Sequence, residues 1–211
     1  MSIFRFIEHK VGNTNRIEIY SDAVMAIVIT LLVLELHMPD LENATTMDVM
    51  NALREILPQL GSFAFSFLTV SVFWVNHHHF FHEIERADWK LLWYNNALLF
   101  WITLIPFTTG FLGRHPMVHG ALMMYSFVLF MAALMFALLS GHVIITPGLL
   151  DDHITDAQKK EHYRHVWVGV ALYGTATIVA PTLPWVSVVL VVVLPIYYII
   201  PRLMHDHEAM Q

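Results

Sequence analysis

Cysteine is missing from the 211 residues, which excludes disulfides and thiolate metal centres while leaving the compartment open. Charge is scarce: only 13% of the residues are Asp, Glu, Lys or Arg, against about 25% in an ordinary soluble domain. No basic block stands out against the net charge of -6, so a nucleic-acid partner is not expected. There is no low-complexity tract and no internal repeat. The opening MSIFRFIEHKVGNTNR has no long apolar stretch followed by a small-residue cleavage site, so the first membrane segment is expected to be retained. What the chain does have is apolar surface: 57% hydrophobic residues and a mean hydropathy of +0.59. That composition is the mark of an integral membrane protein, and the apolar segments described next make it all-α.

Crossing about 30 Å of hydrocarbon takes about 20 apolar residues in a helix. About six segments qualify, near 17 to 37, 56 to 81, 89 to 112, 117 to 145, 163 to 181 and 184 to 203. Helix breakers mark their limits: Pro39 after the first, Gly113 and Pro116 between the third and fourth, Pro147 and Gly148 after the fourth, Pro181 and Pro184 between the fifth and sixth. The short gaps at 113 to 116 and 181 to 184 require antiparallel hairpins. One six-helix domain spanning 1–211 is expected.

Basic residues orient the bundle. With the N-terminus in the cytoplasm, the inner segments hold Arg5, Lys10, Arg16, Arg86, Lys90, Lys159, Lys160, Arg164 and Arg202, and the outer loops hold only Arg54 and Arg114. Both termini are therefore expected to be cytoplasmic. The acidic loop at 40 to 48, with Asp40, Glu42 and Asp48, is expected outside. No helix carries Arg at every third position, so voltage sensing is not expected.

The first segment raises a question of its own. Arg16, Ser21 and Asp22 stand at its inner end, and an acidic side chain at the middle of a bilayer costs about 2.5 to 3.5 kcal/mol on insertion scales. Two accounts fit Asp22 equally: pairing with Arg16 or a group on another helix, or lining a functional path. Farther along, Ile27, Thr30 or Leu31, and Leu34 fall in one stripe at helical spacing. Periodicity alone reads that stripe as packing against lipid or other helices. His77, His78, His79 and His82 cluster at the inner end of the second helix, and Asn95 and Asn96 lie early in the third. His78 and His82 share a face at i, i+4, a spacing that can ligate zinc or iron. No second box of comparable density accompanies them, so hydrogen-bonding histidines and no metal centre are expected.

Three elements together resemble the transmembrane protein 175 family of potassium channels. They are Arg16-Ile-Glu-Ile-Tyr20-Ser21-Asp22, Trp74-Val-Asn-His77-His78, and the third helix from Asn95 through Pro106-Phe107. The resemblance covers essentially the whole chain, with Tyr20 in place of the usual Phe. It implies a pore lined by the first helix of each subunit, with no Thr-Val-Gly-Tyr-Gly filter, and no such run occurs here. The positions matching the family's constriction are Ile27, Thr30 and Leu34, with Leu31 on the same face. Arg16, Ser21, Asp22, Trp74, His77, His78 and Asn95 or Asn96 are implied to form an architectural network. One first helix cannot enclose a pore alone, and the family's single-repeat prokaryotic members imply a homotetramer.

The expectation is thus a passive potassium-selective channel with a hydrophobic gate, multi-pass in a prokaryotic plasma membrane, with potassium as permeant ion, no cofactor and no enzymatic activity. A proton-conducting or proton-coupled transporter, motivated by Asp22, Glu35 and the histidines, is the alternative.

Overall fold

The structure is a computed structural model that describes residues 14–39, 45–116 and 118–209, with the side chains of 197 and of residues after 198 left aside. It is built from helices, and proline, glycine and side-chain caps set their limits. The first helix, α1 (Asn15–Leu31), tightens into a 3-10 turn at Leu32–Glu35 and gives way to extended backbone at Leu36, shortly before Pro39. A short helix, α2 (Thr46–Glu55), follows. It begins with a capping box in which the Thr45 side chain accepts from the Asp48 N–H and the Asp48 carboxylate accepts from the Thr45 N–H. Asp48 is therefore a helix-capping group and not a free loop charge, while Asp40 and Glu42 lie outside the described residues.

The long helix α3 (Leu57–His82) starts with a proline in its first turn, where the missing N–H costs nothing. Asp88 then caps α4 (Trp89–Thr103) by accepting from the Leu91 N–H at 2.8 Å. The single third span expected from the sequence divides here: α5 (Ile105–Arg114) begins after a break at Leu104. Pro106 is the cause, since its nitrogen cannot donate to the preceding turn and its ring crowds the carbonyl four residues back. Thr108 and Thr109 hydroxyls donate to carbonyls of Leu104 and Ile105 beside the break. The most apolar helix, α6 (His119–Ile145), follows. A second capping box, Thr155 with Gln158, starts α7 (Asp156–Val179) two turns earlier than expected, because its first turns are charged and escape a hydropathy reading. The last helix is α8 (Pro184–Ala209).

Among the described residues, four stretches are long and apolar enough to cross a membrane: Asn15–Glu35, Leu57–His82, Trp89–Arg114 and His119–Ile145. Their ends alternate. At one end, Thr14 Oγ1 donates to the Ile84 carbonyl, and the turns after α3 and α6 clasp each other through Glu85 N–H to Leu149 O and Asp151 N–H to Glu83 O. Gly148, at φ +76°, makes the second turn possible. At the other end, His119 meets the Pro181 carbonyl.

Helix α6 stands at the centre, packed on α4, α5 and α7. Between apolar helices in lipid there is little hydrophobic drive, so close backbone approach and interhelical hydrogen bonds carry more of the specificity. Both occur here. Gly113 lets α5 rest on the start of α3, with a built Cβ only 3.0 Å from Gln59 Cα. Deep in the bundle, the Thr109 and Ser66 hydroxyls share a 2.8 Å bond, and Ser66 shares a second 2.8 Å bond with the fully buried Tyr125 hydroxyl.

Candidate functional site

Helix α1 has two unlike faces. Ser21, Met25, Val28 and Leu32, spaced four, three and four residues apart, are buried against α3 and α4. The opposite stripe is bare: Ile27 is 58%, Leu31 42% and Leu34 68% exposed. Thr30 lies on that bare side, its hydroxyl turned back to the Ile27 carbonyl at 2.8 Å. The sequence placed these four residues on one face. The structure shows that, among the described residues, none of the chain's own helices covers it.

The buried face is pinned by polar bonds. Ser21 Oγ donates to the Ile17 carbonyl at 2.8 Å and accepts from Asn95 Nδ2 at 2.9 Å. The Asn95 amide thereby presents Oδ1 to His77 Nε2 at 2.9 Å, so His77 carries its proton on Nε2. Its Nδ1 is buried without a partner, which an unprotonated ring nitrogen tolerates better than an N–H, and the ring stacks on Phe81 at 4.1 Å. One chain of bonds thus joins α1, α4 and α3.

Of the two kinds of partner the sequence left open to Asp22, Arg16 or a group on another helix, the structure shows the second. The Asp22 carboxylate accepts from Trp74 Nε1 at 2.9 Å, and not from Arg16. Among the described residues Arg16 takes no part in the network and is exposed. Asn96, one step around α4 from Asn95, is also exposed and outside it. His78 stacks beneath the Trp74 ring and lies 3.2 Å, through Nδ1, from the Glu18 carboxylate. His82 Nε2 is 3.8 Å from the same carboxylate oxygen and 3.2 Å from His78 Nε2.

Sequence reasoning missed Glu18, although its position one turn before Asp22 put both on one face. Glu35, at the far end of the helix, entered the sequence reading only as a motive for proton transport, without its partners. It sits 3.7 Å from Arg114 and packs directly over Gly110. Arg114 also reaches His37 Nδ1 at 3.3 Å, and the His37 N–H donates to Gln59 at 3.0 Å. The helix is held at both ends by polar contacts and left bare along its apolar middle.

That arrangement has relatives. Residues 16–106 match the family model described as endosomal/lysosomal potassium channel TMEM175. A protein of Chamaesiphon minutus named a potassium channel is 35% identical over 194 residues, 89% of this chain and 94% of that one. The crystal structure of a TMEM175 homolog from Chamaesiphon minutus, titled a lysosomal potassium-selective channel, superimposes with a TM-score of 0.79 at 31% identity, covering 89% of this chain and 97% of that chain. A human protein named an endosomal/lysosomal proton channel is 24% identical over 74% of this chain, which spans 31% of its length. The motif residues on α1, α3 and α4, the superposition along nearly the whole length and the matching family model agree: this chain belongs to the TMEM175 family of potassium channels.

Proposed function

We infer that the chain is the subunit of a potassium-selective channel in which α1 helices from several copies surround a central pore. The observation that carries this reading is the bare stripe of Ile27, Leu31 and Leu34 opposite the buried stripe of Ser21, Met25, Val28 and Leu32. In a homotetramer, four such stripes face one another across the axis and make a narrow apolar neck. Water leaves a neck of that kind when it closes, and ions cannot follow without their hydration, so it gates by dewetting. Thr30 is the one side chain of the stripe with a polar atom to offer a partly dehydrated cation. The Ser21, Asn95 and His77 bonds and the Glu35 contact with Arg114 set the tilt of α1 and so the width of the neck.

The full assembly in this reading has six spans per chain, the four long apolar stretches together with α7 and α8. Alternating helix ends then put both termini on the cytoplasmic side of a prokaryotic plasma membrane. Transport is passive and potassium is the permeant ion, with no cofactor. A second reading, proton conduction, is favoured by the human relative's name and by the polar line of Glu18, His78, Asp22 and Ser21 along the start of α1. Proteoliposomes loaded with potassium and diluted into sodium medium separate the two. A channel gives potassium efflux that persists and discharges through a proton uncoupler; a proton path gives flux that follows only the pH gradient.

A further inference from the structure

We propose that Glu18, His78 and His82 form a binding site for a divalent transition-metal ion of the zinc class, bridging α1 and α3. One ligand atom from each residue lies within 4.8 Å of the other two. A tetrahedral zinc ion with bonds of about 2.0 to 2.2 Å to nitrogen and oxygen holds its ligand atoms roughly 3.3 to 3.5 Å apart. The Glu18 oxygen is already 3.2 Å from His78 Nδ1 and 3.8 Å from His82 Nε2, so small side-chain rotations complete the set. Two imidazoles and one carboxylate suit zinc, with a fourth position open to water.

The centre of the cluster suits a proton or a metal ion. His78 Nδ1 is a buried nitrogen with no hydrogen-bond partner, yet it faces a carboxylate oxygen. Two lone pairs turned toward each other repel unless a proton or a metal lies between them. The exposure of the cluster leaves an entry path, since His82 is exposed and His78 is partly so. The backbone is rigid at the site. His78 and His82 are one turn apart within α3, and Glu18 is fixed one turn from Asp22, whose bond to Trp74 already ties the same two helices together. A metal here adds a second tie between them, at the end of α1 that carries the motif network. The site stands on this geometry and not on the permeation reading, so either can fail without the other.

Isothermal titration calorimetry with Zn2+ tests it, on the full chain without an affinity tag, stripped of metal by chelator and exchanged into chelator-free buffer. The expected result is a saturable site of one Zn2+ per chain, accompanied by a rise in melting temperature. Loss of a supporting group around a metal commonly costs 10- to 100-fold in affinity, so loss of a ligand weakens this site by more than about tenfold in His82→Ala and in Glu18→Gln. His119→Ala, an exposed histidine at the opposite end of the bundle beside the Pro181 carbonyl, keeps native binding. His82→Gln serves as a second, milder variant should His82→Ala melt abnormally. If the native chain shows no saturable binding, or if His82→Gln and Glu18→Gln bind Zn2+ as tightly as the native chain, the three residues are an ion-paired cluster only and the proposal is wrong.

Discussion

At the residue scale, the chain of Ser21, Asn95 and His77 makes the sharpest demand, because its members differ in how many partners they leave behind when removed. Ser21→Ala takes away one interhelical bond, which in membrane bundles averages about 0.6 kcal/mol. Asn95→Leu instead removes both interhelical bonds and leaves the buried His77 Nε2–H without a partner, at about 1–3 kcal/mol for an orphaned polar group, while Ser21 keeps its bond to the Ile17 carbonyl. Thermal unfolding in detergent is expected to show Asn95→Leu as clearly the more damaging of the two, and Ser21→Ala to cost little more once Asn95 is gone. Equal, additive losses would mean the bonds do not act as one unit. Asp22 gives a parallel contrast. Asp22→Asn retains an oxygen to accept from Trp74, so it is expected to melt closer to the native chain than Asp22→Leu. The identities of these residues were legible in the sequence, since polar groups in an apolar helix stand out. Their pairing was not. Arg16 stood nearest Asp22 along the chain, but the partner came from α3, and Asn95 was separated from Asn96 only by which face of α4 the bundle covers.

At the element scale, close approach between helices decides what the sequence left open. Pro106 was visible, yet the third span read as one continuous helix from 89 to 112, because hydropathy does not register a lost backbone bond. Helix α2 was hidden for a different reason: its capping box is a local hydrogen-bond pattern with no apolar run behind it. That cap carries a sign that can be checked. The Thr45 hydroxyl and N–H lower the pKa of Asp48 below its ordinary value of 3.8. The carboxylate form is therefore favoured in the folded cap, whose stabilisation is present above the unfolded pKa and is lost as pH falls through the lower, folded one. Amide exchange in α2 is expected to speed up under strongly acidic conditions in the native chain and to lose that pH dependence in Asp48→Asn. At the helix crossings, a Cβ at Gly113 meets Ser62 Oγ at 2.5 Å and the Gln59 backbone at 3.0 Å. A hydroxyl can rotate away but a backbone cannot, so Gly113→Ala must part α5 from α3, at about 1–3 kcal/mol for overpacking. The atoms nearest a Cβ at Gly110 all belong to the Glu35 side chain. Gly110→Ala is expected to melt nearly as the native chain does while releasing the contact with Arg114 at the far end of α1, so its effect shows in potassium flux before it shows in stability.

At the scale of the whole molecule, the question is what lies against the bare stripe of α1, and exposure alone does not answer it. An apolar face is as content against lipid as against its own copy, because lipid tails are as apolar as leucine. Hydration separates the cases: a lipid-facing residue never meets a water-soluble reagent, whereas a residue at a pore neck meets it whenever the neck opens. The absence of cysteine from the chain turns this into a clean experiment, since a single introduced thiol is the only one present. Leu34→Cys, at the most exposed position of the stripe, is expected to react with a charged, membrane-impermeant thiol reagent and to lose potassium flux as it does so. Ile178→Cys, barer still but on α7, which faces lipid in the proposed assembly around α1, is expected neither to react nor to change flux. Substitution follows the same logic from the other side. Leu34→Ser lowers the apolar barrier to water and is expected to raise flux and loosen selection, while Val28→Ser, on the packed face, is expected to lower melting temperature. If Leu34→Cys proves as inert as Ile178→Cys in flux-competent liposomes, the stripe faces lipid, and the axis of the assembly must be sought along another helix.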